Sequence, residues 1–317
     1  MLQFAAMRIY AAVFVLLFAC GDVSDSGRAA ETAHGGLASG GIHALTYNVA
    51  GLPEGLSHSM PSVFTPIIGP LLNGYDLVFL QESWQTPDPN PLAPLRGYHE
   101  ILVAASDLPY KTPPATQPLG NDPSRPTAQL GDGLNIFSRI ALGDTQRVAW
   151  STCVDTASDC LALKGFSLTT AQFGETLPVH LYDLHMEAGE TPADDDARDG
   201  DIDQLVAFIE AHSQGVAVIV GGDFNLHTDG EPAISQLKRL LEQAGLSDAC
   251  TELKCAHPEN IDKILYRSGD RVALEATDWA YQDKVFVTDG GEPLSDHLPV
   301  AVHLDWSEKA AVSKANP

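Results

Sequence analysis

Short apolar runs that end in polar residues recur along this chain, and no other feature constrains its fold as much. Ile42 to Val49, Leu77 to Leu80, Leu134 to Phe137, Leu161 to Leu168, Val179 to Leu184, Val216 to Val220, Val285 to Val287 and Val300 to Leu304 read as strands. Ala197 to His212 and Glu231 to Ala244 instead repeat Leu and Ile at helical spacing, and Gly245 supplies a stop for the second. Strands outnumber helices and several follow one another directly, which favours a mixed α/β or α+β sandwich over a strictly alternating barrel. At 317 residues and 44% apolar content there is material for a continuous core, with no internal repeat and no obvious second domain boundary.

The sharpest candidate for chemistry is Val218-Ile219-Val220-Gly221-Gly222-Asp223-Phe224-Asn225, an apolar strand running into two glycines, an acid and an amide. This layout puts Asp223 and Asn225 at a strand end, with glycines that would allow a ligand or metal to approach closely. The same residues also make ordinary turns. Ser295-Asp296-His297-Leu298-Pro299 likewise precedes an apolar run. An Asp-His pair can serve a metal or a proton transfer, because histidine titrates near neutrality, or can simply be a solvated turn.

Other segments repeat the pattern of a strand with a polar end. They are Leu45-Thr46-Tyr47-Asn48-Val49-Ala50-Gly51-Leu52-Pro53, Asp76-Leu77-Val78-Phe79-Leu80-Gln81-Glu82, Gly131-Asp132-Gly133-Leu134-Asn135-Ile136-Phe137-Ser138-Arg139, Leu184-His185 and Ile261-Asp262. Together and in this order, the motifs resemble the endonuclease/exonuclease/phosphatase superfamily of metal-dependent phosphoesterases.

The resemblance implies a DNase I-like four-layer sandwich, with two mixed β-sheets face to face, helices outside, and the active residues at one end of the sheets. It implies Glu82 as the main Mg²⁺ ligand, helped by Asn48, with Mn²⁺ or Ca²⁺ as alternative ions; hard oxygen donors suit such cations. Asp223 and Asn225 would contact the attacking water and the scissile phosphate. His297 would be the general base, oriented by Asp262, with Asp296 beside it as a polar or metal contact, and His185 would donate to the phosphoryl oxygens. Whether Asp223 or His297 takes the proton from water stays open. A phosphodiester is anionic and repels hydroxide, so a cation and a base are what its hydrolysis needs.

Asn48 to Pro53, Asp159-Cys160-Leu161-Ala162-Leu163-Lys164-Gly165-Phe166, and Leu184-His185-Met186-Glu187-Ala188-Gly189 with Arg198 and Gln204 are similar to segments of the sphingomyelinase-like branch. Lys164-Gly165 can equally be a strand feature, and Arg198 a packing or ion-pair residue. With 42 acidic against 18 basic side chains and a net charge of −24, the chain lacks the Lys and Arg that hold nucleic acid, whereas a zwitterionic lipid headgroup makes no such demand. The expected partner is therefore a phosphodiester, a phospholipid headgroup at a membrane surface foremost. A secreted nuclease, an inositol-phosphate phosphatase and an anchored binding module without catalysis are the competing readings. Trp279, Tyr281 and the proline-rich loop are candidates for membrane contact.

Arg8 precedes an uncharged apolar stretch from Ile9 to Ala19, which suits an export signal over residues 1–19. Leu17-Phe18-Ala19-Cys20-Gly21 resembles a bacterial lipoprotein cleavage site with Cys20 lipidated; ordinary cleavage nearby is the alternative. The protein would then be an envelope lipoprotein or secreted. Residues 20–41 read as a flexible linker, 42–306 as the catalytic domain and 307–317 as a frayed tail. Residues 105 to 131, rich in proline, form the one long structureless segment. Oxidation outside the cell favours local disulfides, Cys153 with Cys160 and Cys250 with Cys255, over a zinc site, whose usual spacings are lacking.

Overall fold

The computed structural model describes residues 37–52, 54, 57, 59–85, 97–115, 125, 127–154 and 159–310. The expected export signal, Cys20, most of the expected linker and residues 311–317 of the expected tail lie outside the described residues.

The strands are β1 (Ser39–Asn48), β2 (Leu77–Gln81), β3 (Tyr110–Lys111), β4 (Asn135–Ser138), β5 (Gln146–Ala149), β6 (Gly165–Phe173), β7 (Leu177–His185), β8 (Ala217–Asp223), β9 (Ser247–Asp248), β10 (Asp262–Arg267), β11 (Val272–Tyr281) and β12 (Val300–Glu308). The helices are α1 (Pro61–Leu71), α2 (Tyr98–Ala105), α3 (Pro192–His212), α4 (Ala233–Ala244) and α5 (Ala249–Leu253). One six-stranded sheet has the order β11-β12-β1-β2-β4-β3 and the other β5-β6-β7-β8-β10-β9. Each contains a single parallel pair, β1 with β2 and β7 with β8, flanked by antiparallel partners. The two sheets thus share a strand-direction pattern that the sequence does not display as a repeat.

Side-chain alternation sorts the layers. Ile42 and Ala44 of β1, Phe79 of β2, Leu181 of β7, Ile219 of β8, Ile264 of β10 and Val302 of β12 meet in a core between the sheets. On the outer face of the first sheet, Leu45, Tyr47, Val78 and Leu80 pack under Phe64 and Ile68 of α1 and Leu102 of α2. On the outer face of the second, Tyr182, Val218 and Val220 lie under Ile202, Leu205 and Ile209 of α3 and Leu237 and Leu240 of α4. Burial of such a side chain contributes roughly 1.5 to 3 kcal/mol, so three contiguous clusters hold the four layers. The expected sandwich is the observed one.

Several expected elements differ. Both expected helices form, but α3 begins at Pro192, behind a capping box of Thr191 and Asp194, and α4 begins at Ala233 and ends at Gly245, whose φ of 65° only glycine adopts cheaply. Val285 to Val287 is not a strand but a turn and bend that ends in an isolated bridge of Val287 with Pro293, and Phe286 is buried against Tyr47 at a ring distance of 4.9 Å. Leu161 to Leu168 does not join the sheet from its start: Asp159–Leu161 is a 3₁₀ turn, an ion pair between Lys164 and Asp159 follows, and β6 begins at Gly165. β1 starts at Ser39 and β12 reaches Glu308, since Ser39 to Gly41 pair with Asp305 to Ser307. Within the segment expected to be structureless, Tyr110–Lys111 pairs with β4, while residues 116–124 and 126 lie outside the described residues. Trp279 and Tyr281 are half-buried and pack against the inter-sheet core. Both expected disulfides, Cys153–Cys160 and Cys250–Cys255, are present.

Candidate active site

The face between the sheets turns polar toward one rim. On β1, Ile42 and Ala44 give way to Thr46 and Asn48; on β2, Phe79 gives way to Gln81; on β7, Leu181 gives way to Asp183 and His185; and on β8, Ile219 gives way to Gly221 and Asp223. Alternation alone therefore aims these polar side chains into one seam. Register aligns them further: His185, Asp223 and Asp262 stand in one transverse row across β7, β8 and β10.

Beneath the rim a buried polar bridge joins the sheets, in which Gln81 Nε2 donates to Asp183 Oδ1 at 2.7 Å and Thr46 Oγ1 donates to Gln81 Oε1 at 3.4 Å. Burial pushes the Asp183 carboxyl well above the usual range. Above it, Asn48 Nδ2 donates to Glu82 Oε1 and to Asp223 Oδ2, each at 3.1 Å. Two carboxylates that share one nitrogen at these distances lie within reach of one ion. Glu82 follows the end of β2 with φ of 54°, and Asn225 follows β8 with φ of 50°. Such left-handed non-glycine residues cost about 1 kcal/mol or more each and gather where a site dictates the backbone.

His297 completes the seam. Its Nδ1 is 2.9 Å from Asp262 Oδ2 and its Nε2 is 3.8 Å from Asp223 Oδ2. In the neutral ring the short contact puts the proton on Nδ1 and leaves Nε2 to accept. Ser295 positions this loop by donating to the Asn48 carbonyl at 2.7 Å while accepting from the His297 amide at 3.2 Å. Burial opposes the imidazolium, but the Asp262 and Asp223 carboxylates outweigh it and hold His297 well above the ordinary histidine range. His185 lies 3.3 Å from Asp223 Oδ2 through Nε2. Burial, reinforced by Lys164 and His297, keeps its pKa well below that range, so it is neutral. Burial also raises the Glu82 and Asp223 carboxyls, with Asn48, Lys164 and His297 pulling both the other way.

Asp223, Asp262 and His297 offer ligand atoms within 4.8 Å of one another. Asp262 Oδ1 is buried without a hydrogen-bond partner, which fits an electropositive ligand. With Glu82 adjoining, the donor set is mostly hard oxygen and suits a divalent cation, while Asn48 turns its Nδ2 to the carboxylates and its Oδ1 to the Ala50 amide at 3.0 Å.

A cleft of about 400 Å³ opens over these groups, with Glu82, His185, Asp223, Asn225 and His297 in its lining. Asp296 is exposed; its carboxylate accepts from neighbouring Ser295 at 3.3 Å and adds to the negative charge that raises His297. The glycines before Asp223 also act differently from expectation. A Cβ on Gly221 would lie 2.4 Å from the Phe79 ring and one on Gly222 would lie 2.4 Å from the Leu184 carbonyl, so both make room for the facing sheet and the neighbouring strand.

Lys164 is the residue that strand-end reasoning leaves out of the site. It is buried, pairs with Asp159 at 2.7 Å, and lines the cleft. Its only sequence signal is the acid-to-Lys-Gly stretch. Arg198 serves structure, donating to the Glu187 and Gly189 carbonyls at 3.0 and 2.9 Å and pairing with Asp195. Gln204 likewise ties down the end of β5 through the Ala149 carbonyl at 2.9 Å and the Ser151 amide at 2.9 Å.

Residues 45–297 match the model of the Endonuclease/Exonuclease/phosphatase family. A sphingomyelinase of Mycobacterium tuberculosis is 33% identical over 289 residues, covering 84% of this chain and 53% of its own length. The chain thus spans about half the length of that relative. Among solved structures, sphingomyelinase C from Streptomyces griseocarneus superposes with a TM-score of 0.59 at 19% identity, covering 83% of this chain and 99% of that one. A mutant beta toxin from Staphylococcus aureus with bound magnesium ions superposes with a TM-score of 0.58 at 17% identity, covering 83% and 99%. Both share the fold.

Proposed function

Because the chain belongs to the endonuclease/exonuclease/phosphatase family, we propose that it is an exported, Mg²⁺-dependent phosphodiesterase of sphingomyelinase type that cleaves a phospholipid headgroup. The observation that carries the reading is the convergence of Asn48, Glu82, Asp223, Asp262 and His297, from five separate chain segments, on one seam. The sphingomyelinase relative supports the substrate class, and the net charge of −24 disfavours a polyanion. Two disulfides support an oxidising compartment, in keeping with the signal-like N-terminus and Cys20.

In this reading Glu82, with Asp223 adjoining, would hold the cation, and Asn48 would align the two carboxylates through Nδ2. When bound, the cation neutralises phosphate oxygens and lowers the pKa of coordinated water. His297 Nε2 accepts a proton from the attacking water, and Asp262, at 2.9 Å from Nδ1, holds the ring and stabilises the resulting charge. His185, neutral and with Nε2 at 3.3 Å from Asp223, would donate to the phosphoryl oxygens. Asn225 lines the cleft with its amide nitrogen anchored at 3.1 Å on the Met186 carbonyl, and Lys164 lines it as an ion pair with Asp159 at 2.7 Å.

The test is a panel of sphingomyelin, phosphatidylcholine, plasmid DNA and an inositol phosphate, each with Mg²⁺ and with chelator. Metal-dependent release of phosphocholine from sphingomyelin is expected. Dominant nicking of the plasmid would sink the lipid reading and favour a nuclease.

A further inference from the structure

We propose that a strap of backbone, residues 127–131 laid against residues 159–163, forms an apolar lip on the cleft and seats the hydrocarbon-bearing part of a lipid phosphodiester. The proposal rests on the sphingomyelinase-type reading and adds the element that selects for lipid.

One arm of the strap leads into β4 of the first sheet and the other into β6 of the second, so it links the sheets. The Leu161 carbonyl accepts from the Gln129 amide at 2.7 Å and the Leu130 amide at 2.9 Å, and the Leu163 amide donates back to the Leu130 carbonyl at 3.1 Å. Leu130 and Ala162 form a parallel bridge. The arm is fixed further by the Cys153–Cys160 disulfide immediately before Leu161 and by the Asp159–Lys164 ion pair at 2.7 Å around it.

Leu161 is nevertheless 43% exposed. A mobile loop could fold such a side chain away from water; a backbone held on both sides cannot. One exposed leucine is ordinary, but Leu161 continues the apolar lining of the cleft, and contiguous apolar surface there marks a place to be covered. Leu52, Trp84, Leu130, Leu161, Ala162 and Ala188 line the same cleft as the catalytic groups. Among the described residues lining it, Lys164 is the one lysine or arginine, and it is engaged with Asp159. A phosphate on the floor therefore leaves the rest of its molecule against aliphatic walls. A polynucleotide would present further phosphates there, whereas a lipid presents carbon. The pinned strap also needs little ordering on binding, which favours it as a subsite.

The experiment compares kcat/KM for sphingomyelin in vesicles with kcat/KM for soluble bis(p-nitrophenyl) phosphate, in wild type, Leu161→Asp and Leu161→Met, with thermal melts as the fold control. Leu161→Asp should lose about tenfold more on vesicles than on the soluble diester, chiefly through KM, and Leu161→Met should keep the wild-type ratio within about twofold. Equal losses on both substrates, or an unchanged ratio in Leu161→Asp, would overturn the lip while leaving the lipid reading in place. If wild type cleaves the soluble diester but not the vesicles, the lipid reading itself falls and the lip falls with it.

Discussion

Asn48 and Glu82, 34 residues apart in the chain, are joined by a side-chain hydrogen bond of 3.1 Å, and the same Asn48 nitrogen reaches Asp223 at 3.1 Å across the seam between the sheets. The amide thus sets the spacing of two carboxyls that burial raises and the amide itself pulls the other way. Glu82→Ala should lower turnover by several powers of ten, on the order of 10³ or more, and abolish Mg²⁺ binding with the fold intact. Calorimetric titration of Mg²⁺ together with far-ultraviolet circular dichroism checks both halves of this expectation.

The pH profile should report the His297–Asp262 contact. Nε2 can accept a proton only when His297 is neutral, and its pKa lies well above 6.5 because two carboxylates flank it. Activity should therefore rise with pH through a midpoint above the ordinary histidine range. Asp262→Asn removes one of the flanking charges, so the midpoint should move to lower pH while kcat falls by about 10² or more. An acid limb that stays in place in Asp262→Asn would assign it to another group.

Glu187 gives a prediction about stability. Its carboxyl is buried and its pKa is raised from 4.5 to about 7, first by burial and then by Asp159. A raised acid contributes stability that is present below its unfolded pKa of 4.5 and lost as pH rises through the folded value of about 7. The loss is about 3 kcal/mol at most. Glu187→Gln should therefore gain on wild type between pH 5 and pH 8, as read from denaturant melts at both pH values, and a constant difference would contradict the assignment.

The Cys153–Cys160 disulfide closes a loop with a sequence separation of 7 beside the cleft. Chain entropy assigns such a loop about 2 kcal/mol. The double substitution to serine should lower stability by about that much. It should also reduce lipid turnover at temperatures where the protein stays folded, because the strap carrying Leu161 loses one anchor. Steady-state assays run well below the melting temperature separate the two effects.

Much of the site was legible in sequence because its groups stand where an apolar alternation stops: Asn48, His185, Asp223 and Asp262 each end or begin a strand, and Glu82 directly follows one. A strand end of that kind needs no tertiary information to be seen. Lys164 was harder to place, since it sits in the middle of an apolar run and only the ion pair with Asp159 turns it into the cleft. α1 was hidden by Pro66 and Pro70 inside it and by the lack of a side-chain cap; packing of Phe64 and Ile68 on the sheet overrides those local signals. β10 and β11 escaped notice for different reasons. β10 mixes charged ends with a short apolar centre, and β11 exposes alternate residues at a sheet edge, so register against β8 and β12 decides them. The glycines before Asp223 show the limit of local reading, because what fills the space above them is a phenylalanine from the other sheet and a neighbouring strand.

The most direct test of the shared seam is the anomalous difference density of crystals soaked in Mn²⁺. The account predicts one strong peak in contact with the Glu82 carboxylate and within reach of Asn48 and Asp223, lost in Glu82→Ala. A peak bound elsewhere, or one that survives that substitution, would contradict it.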